Sequence, residues 1–472
     1  MKIFYLIPVL LLITFSRLPA QRESFYEISR LPFTSNNHDE FAPSYYNQGI
    51  VFTTNKSEGF LISRLTTEGE NLFNIYYTDQ RSPGNWRNPG MFSKNLSSNY
   101  HDGPVSFSAG GSLIFFTRNI PGKRNELSNL GIFIADNSSG EWVNIRPFPH
   151  NGNDYNVTHP SISEDGKVLY FASDMPGGYG GMDLYVSRYD GSDWSQPENL
   201  GPTVNSELDE VFPYIHPGGR LYFSSRNSTN GSLDLHYSKK SDDEWRRPVR
   251  LPEPLNSESD DFGFIADRDL KTGYFSSGRE GTDNIYSFRS TFPVFAECDS
   301  IRDPVLCYVF FEESAAEIDT TLLYFEWDMG DGTRIRGLEA DHCFEGTGNY
   351  TVRLDVIDMV TGEMQYNVAW FPFTIDRIEQ PYITSPDTVK AGNAVVFDAS
   401  ETYLPNFEGG DYFWETGDGV QYEGETISHY YSSPGIYQVR LGVLPVISSP
   451  TDQQKACVYK FIVVTEDEDV PD

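Results

Sequence analysis

A unit of four short apolar runs, separated by tight turns, recurs along residues 22–290 and leaves little freedom in what this chain can become. The clearest copy spans residues 158–200. Its first strand is read at residues 160–163, and Glu164-Asp165-Gly166 turns the chain because Asp-Gly readily supplies positive φ. Val168–Ser173 follows as the second strand, and a glycine-rich loop (residues 176–181) leads to Asp183–Arg188 as the third. Asp190-Gly191 turns again, and Trp194 opens the fourth. The next copy enters at Glu210-Val211-Phe212-Pro213 and ends near Trp245; looser copies reach Trp86 and Trp142, and a last one begins at Asp260-Asp261-Phe262-Gly263.

Taking Pro43, Pro104, Pro160, Pro213 and Gly263 as equivalent positions, the spacings are 61, 56, 53 and 50 residues. Four-stranded antiparallel units at roughly this period are β-propeller blades. The fifth unit lacks a Trp-bearing fourth strand, while the N-terminus has one to spare. Residues 25–31 and 36–40 read like residues 194–200 and 205–210. The expectation is therefore an all-β chain whose residues 22–290 form a five-bladed propeller closed by the N-terminal strand, or six-bladed if the long first unit hides another blade. Closure removes the free edges that invite aggregation.

The last third repeats itself at a fixed offset. Trp327 and Trp414, Gly330 and Gly417, His342 and His429, Gly348 and Gly435, Tyr350 and Tyr437, and Arg353 and Arg440 all lie 87 residues apart. The shared text is Trp-x-x-Gly-Asp-Gly, a His, then Gly-x-Tyr-x-Val-Arg-Leu. Two modules follow, residues 295–376 and 377–466, before an acidic tail at 467–472.

Two resemblances attach to these strings. Residues 160–173 with GGYGGMDLY resemble the WD40-like (PD40, TolB-type) repeats of periplasmic propellers, and more closely those in envelope proteins of type IX secretion and gliding systems. The duplicated modules resemble the PKD family, which implies immunoglobulin-like β-sandwiches. The resemblance implies docking surfaces rather than chemistry. No OmpA-like module is visible, so peptidoglycan anchoring is not expected.

Residues 1–20 have secretory-signal layout: Lys2, an apolar run over residues 3–15, and Ala20 before Gln21. The run is short for a membrane span, and no later stretch approaches about 18 apolar residues, so no transmembrane segment is expected in the mature chain. The formal charge is −33; without Lys2 and Arg17 the count is 33 basic against 68 acidic residues, or −35. Such a chain is a poor match for nucleic-acid phosphates or anionic lipid. Export permits disulfides. Of Cys298, Cys307, Cys343 and Cys457, three fall in the first module, so a pair is expected there, with Cys457 bridging modules or free.

Motifs for catalysis are missing from the sequence: no H-E-x-x-H, G-x-S-x-G or P-loop. No catalytic, metal or cofactor site is expected. The repeat-locked Trp residues read as packing, and His342 and His429 as structural histidines. The glycine-rich loop joins strands and opens no helix, so it lacks anion-binding geometry. One constellation stands out. The blade entries carry Asp39 and Glu40, His101 and Asp102, Asp209 and Glu210, and Asp260 and Asp261, while the third blade offers Asn156 and His159. Gathered at one channel mouth they would attract a cation or basic peptide; the plainer reading is that they cap backbone N–H groups between blades. The function expected is a non-catalytic protein-binding scaffold of the bacterial envelope, periplasmic or outer-membrane associated, with partners in an outer-membrane complex. The alternative is an accessory carbohydrate-binding protein of an exported glycan-processing system.

Overall fold

The computed structural model describes residues 25–56, 71–120, 129–241, 243–295, 298–312, 322–405, 410–445 and 456–466. The signal-like segment and the acidic tail lie outside these residues. The chain divides between Val294 and Phe295 into two compact units.

The first unit is a five-bladed propeller. Strand β1 (Tyr26–Arg30) lies at the outer edge of the last blade. Five inner strands line the axis: β2 (Glu40–Tyr46), β3 (Asp102–Phe107), β4 (Val157–Ile162), β5 (Glu210–Ile215) and β6 (Asp261–Ala266). Each opens an antiparallel sheet of four or five strands. The inner strands pack side by side in ring order, and β6 returns to β2, so the ring is closed. The closing blade is two-part. β1 pairs antiparallel with β7 (Asn284–Ser290), running from Tyr26↔Ser290 to Arg30↔Tyr286. Val168–Ser173 and Asp183–Arg188 form where the alternation places them.

Two local expectations are corrected. The first strand of the third blade is Val157–Ile162 rather than 160–163, because a bulge lets pairing begin upstream. Its fourth strand is only Glu198–Asn199, and Trp194 makes a single bridge to Tyr189. The bulge also fixes the repeat register. Ala42, His159, Phe212 and Gly263 share φ of 50–62°, and the first three each precede a proline. Gly263 therefore matches the residue before the proline, and Phe264 stands where the other blades carry Pro.

The blade Trp residues pack as the repeat implies. Trp142 lies against Tyr46 and Phe92 of the preceding blade, Trp194 against Phe115 and Phe148, Trp245 against Tyr170, and Trp86 against Phe33 and Tyr274. Large side chains such as Phe115, Phe171, Phe223 and Phe275 are fully buried between sheets, each stabilising the fold by about 1.5–3 kcal/mol.

The second unit contains two sandwiches, following a two-residue strand β8 (Asp299–Ser300). The first uses β9 (Cys307–Phe311), β10 (Leu323–Asp328), β11 (Arg334–Arg336), β12 (Glu339–Cys343), β13 (Gly348–Asp358) and β14 (Met364–Ile375). Its sheets are β11-β10-β13-β14 and β9-β12. The second uses β15 (Thr388–Lys390), β16 (Ala394–Asp398), β17 (Asp411–Glu415), β18 (Gln421–Glu423), β19 (Thr426–Tyr430), β20 (Gly435–Leu444) and β21 (Ala456–Thr465). Its order repeats the first, β18-β17-β20-β21 and β16-β19, with β8 and β15 added parallel to β21. Trp327 and Trp414 are buried and donate to Gly337 and Gly424 carbonyls at 3.0 and 2.7 Å.

Cys307 pairs with Cys343, joining β9 to β12. Cys298 pairs with Cys457. Cys298 and β8 thus belong to the sheet of the second sandwich, although they precede the first in sequence. Residues 298–300, read as the start of the first module, therefore join the second.

Candidate functional site

The acidic constellation is a set of clamps between blades. In each blade the residue before the inner strand accepts an N–H from the start of the third strand of the preceding blade. Asp209 Oδ1 accepts Met182 N at 3.0 Å, Asp260 Oδ1 accepts Leu233 N at 2.8 Å, and His101 Nδ1 accepts Phe73 N at 3.1 Å. Asn156 Oδ1 accepts Leu130 N at 2.9 Å, and Asp39 Oδ1 accepts Asp283 N at 3.4 Å. At three boundaries the following N–H returns to the same residue's carbonyl: Glu40 to Asp283, Asp102 to Phe73 and Glu210 to Met182.

The next acid of each pair turns inward and is buried: Glu40, Asp102, Glu210 and Asp261. Each caps the turn before its strand. Ser98, Ser206 and Ser257 donate through backbone N–H and hydroxyl to Asp102, Glu210 and Asp261 at 2.6–2.9 Å. Ser35 N donates to Glu40 at 3.1 Å. Arg118 and Arg279 neutralise Asp102 and Asp261 at 2.5 and 2.7 Å. Burial pushes the Glu40 carboxyl up to about 7 against the Ser35 N–H and the charges of Lys56 and Arg30. Burial likewise raises Asp102 and Glu210. The third blade carries Val157 at this position, which explains its departure from the acidic pattern. No cluster of three or more His, Cys, Asp or Glu with metal-holding geometry occurs among the described residues.

Three phenylalanines cross the axis. Phe212 of β5 lies 4.7 Å from Phe262 of β6, and Phe41 of β2 lies 5.9 and 6.5 Å from Phe262 and Phe212 between ring centroids. β2 and β5 are not ring neighbours, so the Phe41–Phe212 contact spans the channel. His159 stacks on Phe212 at 3.8 Å, and burial pushes its imidazole down to about 3.

Beyond this plug, towards the ends of the inner strands, opens a cavity of about 560 Å³. It lies at the opposite end of the strands from the acidic clamps. Its wall includes Pro43, Pro104, Pro160, Pro213, Tyr45 and Tyr214. Tyr214 donates to the Ala266 carbonyl at 3.0 Å, and burial pushes its phenol up. The rim holds two carboxylates. Glu164 pairs with Arg268 across from another blade, and Asp267 caps Lys271 N and Thr272 N at 2.8 and 3.1 Å. The glycine-rich loop is also self-satisfied, since Asp183 accepts Tyr179 N and Gly180 N at 2.6 and 3.1 Å.

In the sandwiches, His342 and His429 meet Asp331 and Asp418 of the Gly-Asp-Gly turns at 2.7 and 2.8 Å. Burial raises the Asp418 carboxyl, but the His429 hydrogen bond and charge outweigh it and hold the group below its usual range. These histidines pin the turn.

The sequence reading missed one surface. Strand β14 presents Tyr366, Val368, Trp370 and Phe371 at 69%, 53%, 64% and 59% exposure. It is the last strand of its sheet, pairing with β13 alone among the described strands. Two signals pointed to it: apolar residues at both parities of one strand, and Pro372 within it, which belongs on an edge.

Residues 306–365 and 379–457 match the PKD domain family. Among solved structures, the propeller-bearing chain is similar to an endo-arabinase from Bacteroides thetaiotaomicron VPI-5482 (13% identity, 54% of this chain, 94% of that one, TM-score 0.36). It is also similar to 1,3Gal43A, an exo-β-1,3-galactanase from Clostridium thermocellum (12% identity, 93% and 100%, TM-score 0.36). A puromycin-hydrolyzing peptidase of Mycobacterium tuberculosis is matched over 79% of this chain at 14% identity and TM-score 0.30, and the match spans 45% of that peptidase. At these scores the likenesses carry no argument about activity.

Proposed function

We propose that this protein is an exported, non-catalytic binding scaffold of the bacterial envelope, and that it engages other proteins through its sandwich modules. The observation that carries the reading is the exposed strip Tyr366, Val368, Trp370 and Phe371 on an edge strand. Exposed apolar patches of this kind mark interaction surfaces, and Trp and Tyr are the residues that dominate protein interfaces. The PKD matches support an extracellular or envelope setting. The propeller repeats direct attention to an outer-membrane secretion or gliding assembly. The test is crosslinking in the native envelope of the full chain, tagged at its C-terminus. Recovery of envelope proteins through the β14 strip supports the reading, and crosslinks that bypass the strip overturn it.

A second reading is favoured by one feature: Trp370 and Tyr366 are exposed aromatics of the kind that stack on sugar rings. Retention of the protein on an envelope-glycan column, abolished by Trp370→Ala, would support carbohydrate binding instead.

A further inference from the structure

The duplication inside the second unit supplies a template for what β14 lacks. Arg353 of β13 sits opposite Trp370 of β14, and Arg440 of β20 sits opposite Tyr459 of β21. Trp370 and Tyr459 are therefore equivalent, as are Thr374 and Val463. On β21 the outer edge is occupied. β8 pairs parallel with Val458 and Tyr459, and β15 pairs parallel with Val463, Val464 and Thr465. The bonds name the outward groups: Ile301 N donates to Tyr459 O at 3.4 Å, Val463 N donates to Asp387 O at 2.9 Å, and Ala391 N donates to Thr465 O at 2.9 Å. By register, Trp370 and Thr374 direct their backbone groups outward on β14. No described strand pairs with that edge. The segment preceding the first sandwich, which would cover β14 by analogy with β15, is held in the second sandwich by β8 and by Cys298–Cys457.

Pro372 fits the same picture. It is equivalent to Phe461, which lies between the two stretches that β8 and β15 pair with. The missing proline N–H thus falls where the occupied edge makes no pairing. Both acceptor stretches of β14 remain intact, one at Ala369 and Trp370, the other at Thr374 and Ile375.

We infer that the outer edge of β14 accepts an extended segment of a partner protein as an added parallel strand. This deepens the protein-binding reading and rests on it. Main-chain bonds would supply the attachment, and alternate side chains of the segment would lie along Tyr366, Val368 and Trp370. The segment spans about ten residues, opposite 366–375, or roughly 33 Å at strand rise. Its chemistry is apolar at alternate positions with basic residues between them. Glu363 and Asp376 bracket β14, the chain's charge is −33, and the covering strand β15 carries Lys390. The negative charge on every copy argues against a second copy of this chain as the occupant.

The experiment places a photo-crosslinking amino acid at Tyr366, Val368 or Thr374 of the full chain in its native envelope, and sequences the crosslinked peptides. The expected result is one short segment of one partner, with attachment points advancing in the same direction as 366, 368 and 374. Thr374→Pro removes an outward N–H and should cut the Val368 crosslink at least tenfold, whereas Thr374→Val keeps that N–H and should cut it less than threefold. Unchanged Cys307–Cys343 pairing on a non-reducing gel shows that the sandwich has folded; if Thr374→Pro fails that check, the direction of the crosslinks decides. Attachment points that run in reverse, scatter over a partner's surface or fall on β14 of another copy overturn the added strand. In that case protein binding through the strip still stands, and it falls with the added strand only if no protein crosslinks at all.

Discussion

Met182 donates its backbone N–H to the carboxylate of Asp209 at 3.0 Å, and Glu210 N returns to the Met182 carbonyl at 2.6 Å. This two-way clamp ties the fourth blade to the third, and its side-chain half recurs at every blade boundary. Asp209→Ala orphans the Met182 N–H and should destabilise the propeller by about 1–3 kcal/mol. Asp209→Asn keeps an acceptor and loses only the half-exposed Arg226 partner, for about 0–1 kcal/mol. Urea unfolding midpoints of the two variants decide this. Equal losses would mean that charge, not capping, is what the position supplies. Calcium or magnesium should leave the wild-type midpoint where it is.

Glu40 gives a pH dependence with a definite sign. Its carboxyl titrates near 4.5 in the unfolded chain and at about 7 in the propeller. The folded state holds the proton longer, so the stability tied to the neutral carboxyl is complete below pH 4.5 and is lost as pH rises through 7. His159 works in the opposite sense, losing stability as pH falls from 6.5 towards about 3. The whole-protein curve is therefore composite, and the difference between Glu40→Gln and wild type is the clean measurement. That difference should swing in favour of the variant by about 1–3 kcal/mol between pH 4.5 and 7.5. A flat difference in thermal melts across this range would remove the buried-acid account.

The propeller was legible because its period is written locally. Alternating apolar runs bounded by tight turns recur in each blade, a Trp follows the third strand in four of them, and the spare strand at residues 26–30 matched the gap at the end of the fifth. The acids were legible in position but ambiguous in role. Sequence places Asp209 before an inner strand, but only the neighbouring blade shows that Met182 lies opposite. The Cys298–Cys457 bridge was legible only as one of two alternatives for Cys457, because it joins residues 159 apart across an inserted module. On β14 the apolar residue types alone do not tell an edge strand from a buried one, and only Pro372 marked the edge.

The closing strand can be removed directly. Deleting residues 22–37 takes away β1 and leaves β7 with an open edge in the fifth blade. Buried neighbours such as Phe288 and Leu255 would then meet solvent. The truncated chain should bind a hydrophobic dye, melt at markedly lower temperature and form oligomers through the exposed edge. An unchanged melting temperature would mean that β1 adds nothing to the ring.

The two disulfides should separate by location. Cys307→Ser with Cys343→Ser removes a bridge closing 36 residues within the first sandwich. The loss expected is about 2–4 kcal/mol, confined to that module, with the propeller transition unmoved. Removing Cys298–Cys457 should instead loosen β8 from β21 and raise amide exchange at Tyr459 and Ile301. Exchange rising at β14 instead would show that β8 is not held where the pairing puts it.

Gly417 and Gly332 test the Gly-Asp-Gly turns from opposite sides. Gly417 has φ of +87°, and a Cβ there would meet the backbone N and O of Gln438 at 2.9 Å. Gly332 has φ of +97° with nothing within 4 Å of a Cβ. Left-handed strain alone costs about 1–2 kcal/mol, so Gly332→Ala should lose that much and stop. Gly417→Ala adds a clash with main chain that cannot swing aside, because Gln438 lies in β20, which is paired on both sides. Its loss should exceed that of Gly332→Ala by at least about 1 kcal/mol, and it should release Trp414 fluorescence from its buried environment. Equal losses in chemical denaturation would show that strain at φ, rather than close approach to β20, is what reserves the position for glycine.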